Sequence, residues 1–416
     1  MDDSTLQSAV EILKNCKQEH LLDFYNELDS NQQIGLVNQI VSTDFKKMQN
    51  LYENSQKDDS ISFSRITPMP YIIKSSLSAS NSSLYSRIGE KVIKNGELAV
   101  ITLAGGKGSR LGYNGPKGAY EIDVPPKKSL FEFICDKLKK AFLIYNIYIP
   151  WYVMTSPLND LKTKAFFEKK NYFNYPKDKI FFFTQSTLPI IDTNAKIILD
   201  NIYSIATASD GNGDVFKSLA SSNLLYDMQK QNIKWVSISG IDNILLDVVD
   251  PLFIGLAKSN NSSVASKSIK SGPELKDWVF ANVDGLPSIV DPKNLSEDMI
   301  NSKNKYNLPN YNQVNILAHL FSIDALIMLK DINLPYHRAF KKNDYINEEG
   351  MKVAPSQPNS FKFEKFIFDA FKYFKNFTLL EVEASKEFAP IKSFTGNATP
   401  ETALELYLKN QKNNKL

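Results

Sequence analysis

Apolar side chains recur at helical spacing through Leu6, Val10 and Leu13, then Leu21, Leu22, Tyr25 and Leu28, then Ile34, Val37, Ile40 and Val41. That period predicts helices over residues 4–55, with Ser30 and Asn31 as caps between two of them. Gln56–Ser64 and the Ser/Asn-rich run Ser75–Ser83 then read as linkers or surface loops. From residue 97 short apolar runs alternate with longer amphipathic stretches. Leu98–Leu103, Trp151–Met154, Ile180–Phe183 and Trp235–Ser239 predict strands; Ser129–Phe142, Leu161–Lys170 and Val215–Gln231 predict helices. Such alternation is the pattern of an α/β domain with a mostly parallel sheet, which binds ligands at the carboxyl ends of its strands. Beyond residue 340 the aromatic-rich stretch Phe361–Phe377 is expected to pack in the core against the sheet, with a polar tail behind it.

A length of 416 residues is too great for one typical domain of ~100–150 residues, so two or three units are expected. With 43% hydrophobic and 23% charged residues and a net charge of +3, nothing global points to nucleic acid or a membrane surface. Two cysteines, Cys16 and Cys135, are too few for a disulfide framework or a cysteine-built zinc site. The acidic, amphipathic start is unlike a signal peptide, and no apolar run reaches the ~18 residues of a membrane span. The expectation is a cytoplasmic chain. Only four of the 49 basic residues are arginine: Arg65, Arg87, Arg110 and Arg338. Arginine suits bidentate phosphate recognition, so each position matters.

The first predicted strand runs into Leu103-Ala104-Gly105-Gly106-Lys107-Gly108-Ser109-Arg110-Leu111-Gly112-Tyr113-Asn114-Gly115-Pro116-Lys117-Gly118. Six glycines after a buried strand let the backbone approach a ligand and turn N–H groups toward it, a geometry suited to phosphate oxygens. The order of residues rejects three phosphate loops. Gly106-Lys107 is followed by Gly108 where a P-loop needs Ser or Thr. Gly108 is followed by Gly112, one place too late for a dinucleotide fingerprint. No H-R-D or D-F-G accompanies a kinase-type loop. Arg110 and Lys117 place two cations on this loop, which suits phosphate oxygens.

The loop resembles the L-x-x-G-x-G-T-R-L signature, followed by P-K, of sugar-nucleotide pyrophosphorylases. Further segments are similar to the eukaryotic UDP-N-acetylhexosamine pyrophosphorylases: Gln18–Leu28, Trp151–Ser156, Phe182–Pro189, Asp210–Gly213, Ile241–Leu245 with Asp250-Pro251, and Glu364–Asp369. The matches run in consistent order over residues 18–370. The resemblance implies a GT-A-like, Rossmann-type nucleotidyltransferase domain with a mostly parallel mixed sheet, an N-terminal helical region and a short C-terminal region. The expected divisions are 1–90, 91–340 and 341–416. The implied reaction joins UTP and N-acetylglucosamine 1-phosphate into UDP-N-acetylglucosamine and pyrophosphate. Glucose 1-phosphate or N-acetylgalactosamine 1-phosphate as the sugar substrate, or a UTP-binding protein impaired in catalysis, are the alternatives.

The resemblance also implies roles for individual residues. Gly105 and Gly106 would lie under the uracil and triphosphate, and Gln185 would bond the uracil edge. Gly211 and Asn212 would read uridine and sugar, while Asn315 would contact the sugar. Asp242 would hold Mg2+ bridging the nucleotide phosphates, and Lys362 would reach the phosphates from the C-terminal side. A calcium loop at Asp210–Ser221 fails, because Val215 and Ser221 stand where Gly and Glu are needed. His20, His319 and His337 lack metal spacing or a nucleophile and read as structural. The chain departs from the family pattern at Lys107 and Ser109 in the loop, and at Trp278, Asp291, Val314 and Ser360 toward the sugar. It ends soon after Glu387-Phe388-Ala389-Pro390, so a C-terminal domain of longer relatives is expected to be absent. The expected state is a monomer or weak homo-oligomer.

Overall fold

All six side chains of Leu98–Leu103 and all five of Trp151–Thr155 are buried, as in strands covered on both faces. They lie in a mixed sheet whose spine runs in the order Ile72–Ile73, Phe377–Glu381, Val264–Lys270, Gln313–Ser322, Trp235–Gly240, Leu98–Leu103, Trp151–Thr155, Ile180–Thr184. Only Gln313–Ser322 runs against both its neighbours on that spine; the other pairings are parallel. The α/β class and the mostly parallel mixed sheet are as the sequence implies. The computed structural model describes residues 3–56, 65–272 and 277–413.

Two compact units are drawn from segments distant in sequence. One comprises Met1–Ser62, Ser186–Asp214 and Leu334–Phe366; the other, which holds the large sheet, comprises Phe63–Gln185, Val215–Asn333 and Ile367–Leu416. Among the described residues no helix is long and apolar enough to cross a membrane.

In the first unit, helices Asp3–Cys16, Ser30–Ser42 and Phe45–Gln56 bury Leu13, Leu36, Ile40 and Met48 against Leu188, Ile191, Leu199 and Phe363. The second helix is capped by Asp29, not by Ser30 or Asn31: Asp29 accepts from Gln32 N–H while Gln32 answers with its own side chain. The Gln18–Leu28 segment docks through side-chain-to-backbone bonds. Gln18 donates to Ala195 and accepts from Ile197 N–H, both at 2.9 Å, and His20 Nε2 donates to the Ile197 carbonyl at 2.7 Å.

In the larger unit the expected Val215–Gln231 helix is two, Val215–Ser221 and Leu224–Lys230, parted at Asn223, whose φ of 61° is left-handed. Ser75–Ser83 is only partly a loop, since Ser78 caps a helix over Ala79–Lys94. The polar tail is also helical, over Pro400–Asn413, with Tyr407 edge-on to Phe133 at 5.1 Å. Residues 57–64 lie outside the described residues. The aromatic stretch divides between the units. Phe361 and Phe363 are buried in the first, and Phe371 packs on Phe280, Phe321 and Phe377 of the sheet in the second.

Helices Ala79–Lys94 and Pro251–Ser259 meet without side chains between them. A Cβ on Gly255 would stand 1.8 Å from the Tyr85 carbonyl oxygen, and one on Gly89 would stand 1.8 Å from that of Pro251. Backbone cannot yield as a side chain does, so Gly255→Ala must force the helices apart. The expected cost is about 1–3 kcal/mol in urea unfolding, and an unchanged midpoint would refute this account of the crossing.

Candidate active site

Trp235–Gly240, Leu98–Leu103, Trp151–Thr155 and Ile180–Thr184 are successive parallel neighbours, with Gly240 opposite Leu103, Leu103 opposite Met154 and Thr155 opposite Thr184. Their carboxyl ends therefore share one edge of the sheet. Just beyond that edge the chain delivers Asp242, the glycine-rich loop, Ser156 and Gln185 in turn.

Three successive carbonyls of the loop are held by side chains of the neighbouring strand end. Asn159 Nδ2 donates to Ala104 at 2.9 Å and to Gly106 at 3.1 Å, while Ser156 Oγ donates to Gly105 at 2.8 Å. Ser156 N–H in turn donates to Asn159 Oδ1 at 2.9 Å, which fixes the amide's orientation. Both side chains are buried, Asn159 at 3% exposure. The N–H groups of Gly105, Gly106 and Lys107 take no protein partner among the described residues. Since the C=O and N–H of one peptide unit point apart, the bound carbonyls leave these amides available to anionic oxygens. Above Gly106 the position of a Cβ is open space, whereas at Gly105 it would fall 1.9 Å from Gln185 Nε2. The Gln185 amide thus lies directly against the Gly105 backbone, in room that any larger residue would take.

The rest of the loop doubles back on itself. Lys117 N–H donates to Gly106 O at 3.1 Å and Gly108 N–H to Gly115 O at 2.9 Å, with Tyr113 filling the space over Gly108 and Gly115. That fold brings the Lys117 ammonium 3.2 Å from Asp242 Oδ2, with side chains 13% and 26% exposed. Arg110 is exposed on the same loop. Among the described residues no three His, Cys, Asp or Glu side chains gather to hold a metal. A lone carboxylate such as Asp242 fits a hard cation that keeps water and phosphate oxygens as its other ligands.

Asn315 sits where Gln313–Ser322 bulges: Ser266 faces His319 but Ser268 faces Asn315. Its Oδ1 accepts from Leu317 N–H at 3.0 Å, and Leu317 takes a left-handed φ of 53°, a strained choice for leucine. Leu317 packs over Gly240, 2.9 Å from where a Cβ would be. The departures nearby are accommodated locally. Val314 pairs with Ile269 and Val279, and the Trp278 ring lies 5.2 Å from Phe368. Asp291 spends its carboxylate on capping a turn, accepting from Lys293 N–H at 3.0 Å.

Gly211, Asn212 and Lys362 belong to the first unit. Gly211 has φ +94°, and a Cβ there would stand 2.3 Å from the Lys365 carbonyl oxygen. The loop is tied down by Lys365, whose Nζ reaches Asp210 at 2.8 Å and Asp214 at 3.4 Å, while Asp214 also accepts from Ser186 N–H at 2.8 Å. Burial by itself would lower the Lys365 pKa, but the hydrogen bond and charge of Asp210 outweigh it and hold the ammonium protonated. Lys362 lies on the strand Ser360–Glu364 opposite Ala339, alternating with buried Phe361 and Phe363. Within the units, then, Lys117 meets Asp242 and Gln185 meets Gly105, while Gly211 and Gly213, on either side of Asn212, lie against Lys365.

The histidines take structural places. His319 Nδ1 lies 2.7 Å from Ser266 Oγ, and burial lowers its pKa to about 3, so it is neutral. Sequence reasoning missed Ser156 as a functional side chain, along with Asn159, Asp214 and Lys365. Ser156 ended a recognised segment, and Asn159 lay three residues on, but neither has meaning without the loop it binds.

Comparison with known proteins places this geometry. The family described as UTP–glucose-1-phosphate uridylyltransferase matches residues 42–399. The UDP-N-acetylglucosamine pyrophosphorylase of Saccharomyces cerevisiae is 35% identical over 371 residues, covering 86% of this chain and 77% of that one. The UDP-N-acetylglucosamine diphosphorylase 2 of Arabidopsis thaliana is 32% identical, with 97% and 83% covered. Among solved structures, the uridine diphosphate N-acetylglucosamine pyrophosphorylase of Trypanosoma brucei, crystallised with an inhibitor, superposes with a TM-score of 0.81 at 28% identity, covering 98% and 85%.

Asn159→Ala deprives the Ala104 and Gly106 carbonyls of a side-chain donor. Leaving a buried acceptor unpaired should cost about 1–3 kcal/mol of stability. Amide exchange at Gly108 and Lys117, whose N–H groups are bonded within the loop, should accelerate while the rest of the sheet keeps its protection. Wild-type protection of those two amides in that variant would count against this role.

Proposed function

We propose that this chain, which belongs to the UTP–glucose-1-phosphate uridylyltransferase family, transfers the uridylyl group of UTP to N-acetylglucosamine 1-phosphate. The observation that carries the proposal is the Gly105–Lys107 turn, with its carbonyls held by Ser156 and Asn159 and its amides free. Such a turn accepts phosphate oxygens without displacing a protein bond. The relatives named for this activity, at 32–35% identity over most of the chain, support the choice of sugar.

The phosphate oxygen of the sugar substrate attacks the α-phosphorus of UTP in line. A bond forms from that oxygen to phosphorus, the bond to the bridging αβ oxygen breaks, and its electron pair leaves with pyrophosphate. Transfer of this kind needs positioning and charge neutralisation more than a covalent enzyme intermediate. Arg110 and Lys117 neutralise the triphosphate and leaving group from the loop, and Lys362 contributes a further cation. Gln185, held against Gly105, bonds the uracil edge; Gly211 and Asn212 read uridine and sugar, and Asn315 contacts the sugar. Asp242 would hold Mg2+, which would supply charge neutralisation of the nucleotide phosphates and Lewis-acid polarisation. Two free thiols, Cys16 and Cys135, support placing the reaction in the reducing cytoplasm.

Trp278 stands where the family pattern has a glycine, which favours testing a second reading in which another sugar 1-phosphate is used. A panel of N-acetylglucosamine, N-acetylgalactosamine and glucose 1-phosphates, with UTP, Mg2+ and pyrophosphate detection, separates the readings. The first sugar should give the highest kcat/KM; activity with glucose 1-phosphate alone overturns the sugar assignment, and UTP binding with no pyrophosphate from any sugar points to an impaired enzyme. In the same assay Arg110→Ala should lower turnover about a hundredfold or more with unfolding unchanged. Near-wild-type release from that variant would remove Arg110 from the mechanism.

A further inference from the structure

The turn that carries Asp242 is held from a second direction, by the chain near its end. Asn243 Nδ2 donates to the Glu387 carbonyl at 2.8 Å, and Asn243 Oδ1 accepts from Ala389 N–H at 2.9 Å. Ile391 N–H donates to the Asp242 carbonyl at 2.9 Å, and Ile244 N–H to the Ala389 carbonyl at 3.3 Å. Asn243 is 3% exposed and Ala389 and Ile391 are fully buried, so water cannot substitute for these bonds. The same strand of chain continues to the cation-bearing loop. Phe394 N–H donates to the Arg110 carbonyl at 3.3 Å, and its ring stands edge-on to Tyr120 at 6.3 Å. Glu387–Phe394 is therefore a strap that touches both the turn of the candidate metal carboxylate and the loop of the candidate catalytic arginine.

Its beginning is anchored by buried charge. The Glu387 carboxylate receives Lys74 at 2.8 Å on one oxygen and Lys267 on the other, and both ammonium groups also reach Asp250 Oδ2, at 2.8 and 2.9 Å. Lys267 is 1% exposed, and its Nζ also donates to the Asp247 carbonyl at 3.2 Å, five residues past Asp242. Breaking such a pair by deleting one partner leaves an uncompensated buried charge, which fixes where the strap begins.

We propose that Asn243 and the Glu387–Phe394 strap are positioning elements that set the Asp242 carboxylate and the Arg110 loop in one frame. The proposal rests on the reading of Asp242 as the residue that holds the divalent cation. Partners that orient a metal ligand typically change metal affinity or activity about 10–100-fold when removed.

The test uses the full chain with Asn243→Ala and Glu387→Gln, and with Leu326→Ala as a variant destabilised away from the strap, in the helix Ile323–Leu329 beyond the opposite end of the sheet. Water-proton relaxation of Mn2+–UTP, titrated with protein, reads cation binding without turnover. Asn243→Ala and Glu387→Gln should weaken that complex about 10–100-fold and lower Mg2+-dependent kcat in step, while KM for the sugar phosphate stays near wild type. Leu326→Ala should keep wild-type Mn2+–UTP affinity despite its lower unfolding midpoint. If Asn243→Ala or Glu387→Gln does not fold, Asn243→Ser replaces it. Wild-type cation affinity in the folded strap variants, or an equal loss in Leu326→Ala, overturns the proposal. A wild-type chain that releases no pyrophosphate from UTP under Mg2+ overturns instead the functional reading beneath it.

Discussion

Everything at the ligand-facing edge depends on where three peptide carbonyls point. Asn159 and Ser156 take the oxygens of Ala104, Gly105 and Gly106 into the protein, which leaves the amides of the same turn free to face outward. A peptide plane cannot present both ends in one direction, so binding the carbonyls decides what the amides can do. The parallel sheet makes this possible, because Leu98–Leu103 and Trp151–Thr155 end side by side and place one strand's follow-on residues beneath the other's loop. Local charge completes the arrangement. Lys117 is folded back to Asp242, so cation and carboxylate neutralise each other at 3.2 Å on the edge where phosphates are proposed to bind.

The first unit handles charge in the opposite way. Asp210 and Asp214 have the alternating spacing of a cation loop, a reading the sequence rejects at Val215 and Ser221, and both carboxylates are spent on Lys365, Asp214 on Ser186 N–H as well. The loop they bracket offers backbone at Gly211 rather than carboxylate charge. That is why the acidic spacing of Asp210–Asp214 is a structural brace.

Much of the architecture was legible from local pattern. Leu98–Leu103 and Trp151–Thr155 are buried on both faces and read as continuous apolar runs, so their strands were recognisable without context. The helix over Leu130–Tyr145 was nearly as clear, with Ser129 its cap. Breaks were less so: Asn223 ends one helix through a left-handed backbone that no periodicity marks, and Asp29 outcompetes Ser30 as a cap because Gln32 can reciprocate. Helix Pro400–Asn413 was hidden because its burial rests on a few side chains such as Ala403 and Tyr407. In the candidate site, glycines and cations announced the loop. The side chains that orient it could not announce themselves, since Asn159 acts across 55 positions and Asn243 across 144.

The discontinuous make-up of the two units bears on how the chain reaches this state during synthesis. Leu13, Leu36 and Ile40 emerge early, but the strands that cover them, with Leu188, Ile191 and Phe363, follow only as far along as residue 363. The larger unit likewise waits for Phe377–Glu381 to close its sheet beside Val264–Lys270. Neither unit can therefore mature on the ribosome ahead of the other in the usual N-to-C order of independent domains. Closure of long loops must precede much of the stabilising burial, which favours slow, late and cooperative acquisition of the native state.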